Sequence, residues 1–124
     1  MEDLIEVCVG KRYRVMMTPQ VAKKFEKSDA RQRSRCLQWM KRFAEDGDEY
    51  LDDEKFKFEG RFSTGQKAGT KVAISAFKAW QLRVYGGVAV EGVFIATEID
   101  TAKKQNAADR ATLEAAARKL ATYM

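Results

Sequence analysis

The residues in this chain that could do chemistry are cations, phenols and carboxylates. Its 124 residues hold 23 Lys and Arg, 18 Asp and Glu, four Tyr and two Cys, and no His at all. The missing imidazole removes the usual general base at neutral pH and every Ser-His or Cys-His nucleophile pair. Two cysteines without a histidine argue against a structural zinc site, and no cofactor is expected. Cations are the most numerous of the groups that remain. Arg stabilises phosphate charge but does not serve as a base, whereas a Lys beside other cations has its pKa lowered toward neutrality. Acid–base work on a substrate needs a group that takes a proton, a group that gives one, and stabilisation of the charge that develops. Here Lys, Tyr, Glu or Asp must carry those protons.

The charges are segregated along the chain. The net charge is +5 and the pI about 9.3, which favours an anionic partner, either nucleic acid or an acidic protein. Between Lys11 and Arg42 stand eleven Lys or Arg against Glu26 and Asp29, and between Lys55 and Arg83 seven against Glu59 alone. Acids collect between them, from Glu45 to Glu54. Such segregation favours a basic face; the plainer reading is cations solvated on ordinary surfaces. Arg31, Arg35 and Arg42 fall on one helical stripe. With Lys55, Lys57, Lys71 and Lys78 they are the candidate RNA contacts.

Residues 1–124 read as one domain. Ile5 to Met17 reads as a strand, interrupted at Gly10-Lys11-Arg12 by a turn or bulge. Thr18-Pro19 starts a short helix ending near Lys27. Ser28 or Asp29 caps a longer one to about Glu45, with Cys36, Leu37, Met40, Phe43 and Ala44 on its apolar stripe and Gly47 at its stop. Phe56, Phe58 and Phe62 alternate with charged residues as a half-buried strand. Val72, Ile74 and Ala76 form the next strand. Trp80, Leu82 and Val84 form another, with Trp80 read as core. Gly86-Gly87 gives a hairpin signal, followed by a return strand from Val88 to Ile99. A final helix is expected from about Ala107 to Tyr123, with Asn106 as its cap and a narrow stripe of Leu113, Ala116, Ala117 and Leu120. This order predicts an α+β fold, an antiparallel sheet packed by two N-terminal helices with a C-terminal helix.

The segment Lys78-Ala79-Trp80-Gln81-Leu82-Arg83-Val84-Tyr85-Gly86 resembles the RelE superfamily of toxins, in particular its HigB-like and phage-derived branch. So do the stretch Phe94 to Asp100, the basic Lys103-Lys104-Gln105, and the closing helix from Ala111 to Leu120. The likeness is good over Lys78 to Leu120 and weak before it. It implies a toxin of a toxin–antitoxin pair that cleaves or blocks messenger RNA on the ribosome, held inactive by an antitoxin protein. Carried onto this chain, Arg83 matches the strand cation, Lys103 and Lys104 match the basic pair after the last strand, and Tyr85 lies where an aromatic stacks on a base. These four are the candidate catalytic residues. One departure is plain: Val88 to Val93 lacks the further Arg that nuclease relatives carry after the hairpin.

The expected function is thus an RNA-binding, ribosome-dependent mRNA endoribonuclease of RelE type. The alternative is a non-catalytic RNA- or protein-binding module on the same fold. The bland readings also stand at this point: Arg83 pairing with Glu91 or Glu98, Tyr85 as a packing residue, and Lys103 and Lys104 solvating a loop. The expected partners are an antitoxin, the ribosome and mRNA, and a homodimer is compatible with the Ala-rich final helix. No apolar run approaches the ~20 residues of a membrane span. The two cysteines and the acidic start at positions 2 and 3 read as cytoplasmic.

Overall fold

The computed structural model describes residues 3–67, 69–102 and 109–124. Its elements run β1 Ile5–Val9, β2 Arg14–Met17, α1 Pro19–Glu26, α2 Ala30–Asp46, β3 Phe56–Ser63, β4 Lys71–Ala79, β5 Leu82–Val90, β6 Val93–Asp100 and α3 Arg110–Ala121. The class is α+β. The expected single first strand is two strands, paired antiparallel. Gly10 is required at their turn because a Cβ there would sit 2.4 Å from the carbonyl of Ala44. The amides of Arg12 and Tyr13 both donate to that carbonyl, at 2.9 Å each, which fixes the hairpin against the end of α2.

The six strands form one sheet in the order β1-β2-β6-β5-β4-β3. All neighbours are antiparallel except β2 and β6, which run parallel. The sheet is therefore mixed, which corrects the expectation of a wholly antiparallel one. Local patterns reveal each hairpin, but the strand beside which a chain settles after two helices is a tertiary choice that they do not encode.

Both sheet faces carry helices. On one face α1 and α2 bury Val21, Phe25, Cys36, Met40 and Phe43 against Val15, Phe77, Leu82, Val84 and Phe94. Phe43 packs 5.5 Å from both Phe77 and Phe94, edge to face, an arrangement favoured by the ring quadrupoles. On the other face α3 lays Leu113, Ala116, Ala117 and Leu120 over Ile74, Ala76, Tyr85 and Ile95. The small residues allow close approach, and Thr97 Oγ1 donates to the Ala116 carbonyl at 2.9 Å. Asp109 caps α3, accepting from the Ala111 amide. Asn106 and Ala107, where the helix was expected to begin, lie outside the described residues.

Caps end the other helices. Thr18 accepts from the Val21 amide with Pro19 in the first turn, and Asp29 accepts from Gln32 at 3.0 Å. Each such cap contributes about 1 kcal/mol. Gly47 stops α2 at φ 76°.

Two further expectations change. A bulge between Phe58 and Gly60 switches the phase of β3. Phe56 packs with the α2 layer, Phe62 packs with the α3 layer, and Phe58 is left exposed. The three therefore do not share one face. The Gly86-Gly87 pair is not a turn: it lies buried within β5. The turns are Trp80-Gln81, between the paired Ala79 and Leu82, and Glu91-Gly92, between the paired Val90 and Val93. Gly86 and Gly87 are there for closeness, since a Cβ on Gly86 would lie 2.1 Å from the Ile95 carbonyl oxygen and one on Gly87 2.5 Å from that of Ala73.

Candidate nucleic-acid interface

The register places three cations on one patch of sheet. Residues directly opposite in neighbouring strands share a face, and side chains two apart along a strand return to it. Lys57, Ala76, Tyr85 and Glu98 are opposite one another in β3, β4, β5 and β6. One step further along lie Lys78, Arg83 and Asp100. All seven share the α3 side of the sheet. Lys57, Lys78 and Arg83 are half-buried, and backbone carbonyls hold the head groups of Lys78 and Arg83.

Lys78 is the perturbed member of the row. Burial pushes its pKa below the ordinary lysine value, and the charges of Arg83 and Lys57 push the same way. Glu59 and Asp53 oppose them. Its Nζ donates to the Asp53 carbonyl at 3.0 Å. A lysine so placed binds an anion well, because an incoming phosphate restores the favourable environment that burial removes.

Arg83 also does a structural task. Its Nη1 donates to the Trp80 carbonyl and, at 3.0 Å, to the Leu82 carbonyl. It thereby clamps the two-residue turn between β4 and β5. Trp80 holds φ 52° and is the one non-glycine residue with positive φ among the described residues. This is the first loop position, where a II′ turn favours glycine. A non-glycine residue there costs roughly 1–3 kcal/mol. No core packing offsets that cost, because Trp80 is 55% exposed; this corrects its reading as a core residue.

Around Trp80 the cations of α2 converge. The Arg31 guanidinium lies 5.5 Å from the centre of the Trp80 ring. That of Arg35 lies 5.7 Å from both Trp80 and Trp39. Lys55 Nζ sits 5.4 Å from Trp39 while pairing with Asp52 at 2.8 Å. A shallow cavity of about 160 Å³ lies among Arg35, Trp39, Lys55, Lys78 and Trp80, with Glu54 at its rim. Lys78 thus borders both the sheet row and the tryptophan patch.

The other expected residues fall elsewhere. Arg42 pairs with Asp46 at 3.0 Å and stacks over Tyr50, near the far end of α2. Lys71 opens β4 opposite Ser63, roughly 23 Å along the strand from Lys78 at the usual rise. It borders a separate cleft of about 370 Å³ with Arg61, Asp48 and Phe56. Tyr85 is 1% exposed and belongs to the α3 core, so base stacking is not open to it. Burial, with Glu59 and Asp100 nearby, pushes its phenol up to about 12, which removes it as a base. Glu98, one imagined partner of Arg83, pairs with Lys119 at 3.0 Å. Lys103 and Lys104 lie outside the described residues. Burial disfavours both thiolates: it pushes Cys36 up to about 12 and raises Cys8 as well. Among the described residues no acid, cysteine or histidine cluster could hold a metal, and no helix is long and apolar enough to cross a membrane.

The tryptophan pair is what the sequence reading missed. A signal was there: Phe77 and Ala79 are buried on one face, and Leu82 and Val84 take up the same face three residues later. An unbroken strand would have placed residues 81 and 83 there. The slip in phase marks Trp80-Gln81 as the turn. No family model matches the chain, and neither does any curated protein or solved structure.

Proposed function

We propose that this chain is an RNA-binding toxin component of the RelE type, acting on messenger RNA at the ribosome and held inactive by an antitoxin with an acidic segment. The observation that carries the reading is the row of Lys78 and Arg83 with Lys57 beside it, half-buried on one sheet face. Phosphate contacts from such groups give an affinity that falls steeply with salt. Within this reading Lys78, with its lowered pKa, is the described residue best suited to move a proton, and Arg83 and Lys57 stabilise phosphate charge. Alignment of the substrate comes from the ribosome, and alignment is a large part of any rate enhancement. Cleavage of free RNA should therefore be weak.

A second reading, RNA binding without cleavage, is favoured by the burial of Tyr85 and the engagement of Arg83 in its turn. The deciding experiment maps messenger RNA 5′ ends minutes after induction in a bacterial host, beside a Lys57→Ala/Lys78→Ala variant. New in-frame ends within translated regions, absent in the variant, support the nuclease. Co-sedimentation with ribosomes but no new ends supports binding alone. The absence of both new ends and co-sedimentation overturns the toxin reading.

A further inference from the structure

Trp80 is unexplained by the fold. It occupies a backbone conformation that favours glycine, it is mostly exposed, and its ring is flanked by two guanidinium groups. Neither Arg31 nor Arg35 is paired to a carboxylate among the described residues. Stability alone would place Gly or Asn in this turn and a short polar residue at its tip. An exposed aromatic ring with free cations beside it is the arrangement on which single-stranded nucleic acids are held, bases stacking on rings and phosphates meeting the cations.

We propose that Trp80, flanked by Arg31 and Arg35, with Trp39 beside the same Arg35, is a stacking subsite for an unpaired base of single-stranded RNA, separate from the sheet row of Lys57, Lys78 and Arg83. The cavity beside it, about 160 Å³, is well below the roughly 300–1,000 Å³ of pockets for whole small ligands; it suits one planar ring entering from solvent. Lys78 borders both sites, so a strand whose phosphates lie on the sheet row continues around the β4–β5 turn onto Trp80. Arg83, holding the Trp80 carbonyl, is a positioning residue for this subsite. An acidic protein segment would use the same cations but would gain little from the ring.

This inference rests on the RNA-binding reading, and its test separates the two. The chain has two tryptophans, both at this patch, so quenching of intrinsic fluorescence reports on it directly. The full-length protein is titrated with a ten-nucleotide single-stranded RNA and with an abasic oligomer of equal length and charge. Trp80→Gly is the informative variant, because glycine accepts the turn and folding is preserved. Trp80→Phe retains a ring. Loss of one stacked base predicts roughly 5- to 150-fold weaker RNA binding for Trp80→Gly. The abasic oligomer should bind both proteins equally, and Trp80→Phe should recover most of the loss. Arg31→Ala/Arg35→Ala should lower the salt slope by roughly 1.4. Unchanged RNA affinity in Trp80→Gly, with wild-type binding intact and sensitive to Lys57→Ala/Lys78→Ala, overturns the subsite and leaves the RNA-binding reading standing. An equal loss for the abasic oligomer overturns stacking as its basis. Loss of affinity for a poly-glutamate peptide alone, with RNA unaffected, assigns the patch to an acidic protein instead and overturns it too. No RNA binding by the wild-type protein removes both readings.

Discussion

The position of the β5–β6 turn decides whether Asp100 stands opposite Arg83, and Gly86 tests it. In β5 the Gly86 Cα faces the main chain of β6. A methyl group there would lie 2.1 Å from the Ile95 carbonyl oxygen and 2.8 Å from the Ala96 Cα. Both contacts are with backbone, so no side-chain rotation relieves them, and the strands must part locally. Overpacking a tight interior site costs typically about 1–3 kcal/mol and sometimes more; a backbone clash belongs at the upper end. Gly92 is the contrasting position. It lies in the observed turn at φ 77°, and its nearest neighbour, the Arg12 carbonyl oxygen, would stand 3.6 Å from a Cβ. Only conformational strain then opposes Ala, about 1–2 kcal/mol. Gly86→Ala should therefore cost about 3 kcal/mol, against a total of about 5–15 kcal/mol for an ordinary domain, and Gly92→Ala about half as much. Urea unfolding followed by circular dichroism measures both. Were Gly86-Gly87 the turn, Gly86→Ala would cost only what a turn residue costs and Gly92→Ala would be mild. A Gly86→Ala loss smaller than that of Gly92→Ala refutes the β5–β6 register, and with it the placing of Asp100 beside Arg83.

Tyr85→Phe should keep RNA binding and any cleavage at the wild-type level, as measured by the same 5′-end mapping, because the phenol is buried and protonated. A loss of more than tenfold would return Tyr85 to the site. The same variant bears on alkaline stability. The folded phenol keeps its proton up to about 12 while the unfolded one loses it near 10, so stability should fall between those values, and Tyr85→Phe should flatten that fall in pH-dependent melting. Lys78 acts with the opposite sign. Its folded pKa lies below 10.5, the folded state binds fewer protons in that window, and stability should rise with pH until 10.5 is reached. Lys78→Met should abolish the rise; if it steepens instead, burial is not what perturbs the lysine. Thr97→Val leaves the Ala116 carbonyl without the Thr97 donor inside the α3 interface and should cost about 1 kcal/mol in the same unfolding assay.

Helix ends and apolar stripes were legible in the sequence because they are local. Thr18-Pro19, Asp29 and Gly47 are chain-neighbour signals, and the structure places caps at all three. Strand phase was legible only where no bulge intervened. Val72, Ile74 and Ala76 share a face, but one extra residue before Gly60 turns Phe56 and Phe62 to opposite sides. Gly86-Gly87 misled for a physical reason. Glycine answers two needs, a positive φ and a close approach, and the residue name does not say which. The backbone neighbours that demand closeness here, Ile95 and Ala96 for Gly86 and Ala73 for Gly87, come from other strands. The parallel pairing of β2 with β6 is equally non-local.

The site was legible in part for the same reason. Arg83 stands out as a strand cation, and the register adds Lys78 and Lys57 to it, a convergence that spacing along the chain cannot express. The stripe of Arg31 and Arg35 was visible, but not its target, which lies on a turn about 45 residues away in sequence. That turn sets Trp80 in solvent at a conformational cost while the same Arg83 that faces the sheet row grips its carbonyl. Arg83→Lys, which keeps the charge but loses the planar fork, should therefore uncouple the two patches. Binding of the abasic oligomer should hold within a few-fold, whereas the base-dependent increment should shrink toward that of Trp80→Gly. If charge alone mattered, Arg83→Lys would match wild type on both oligomers, and Arg83 would then be only a member of the row.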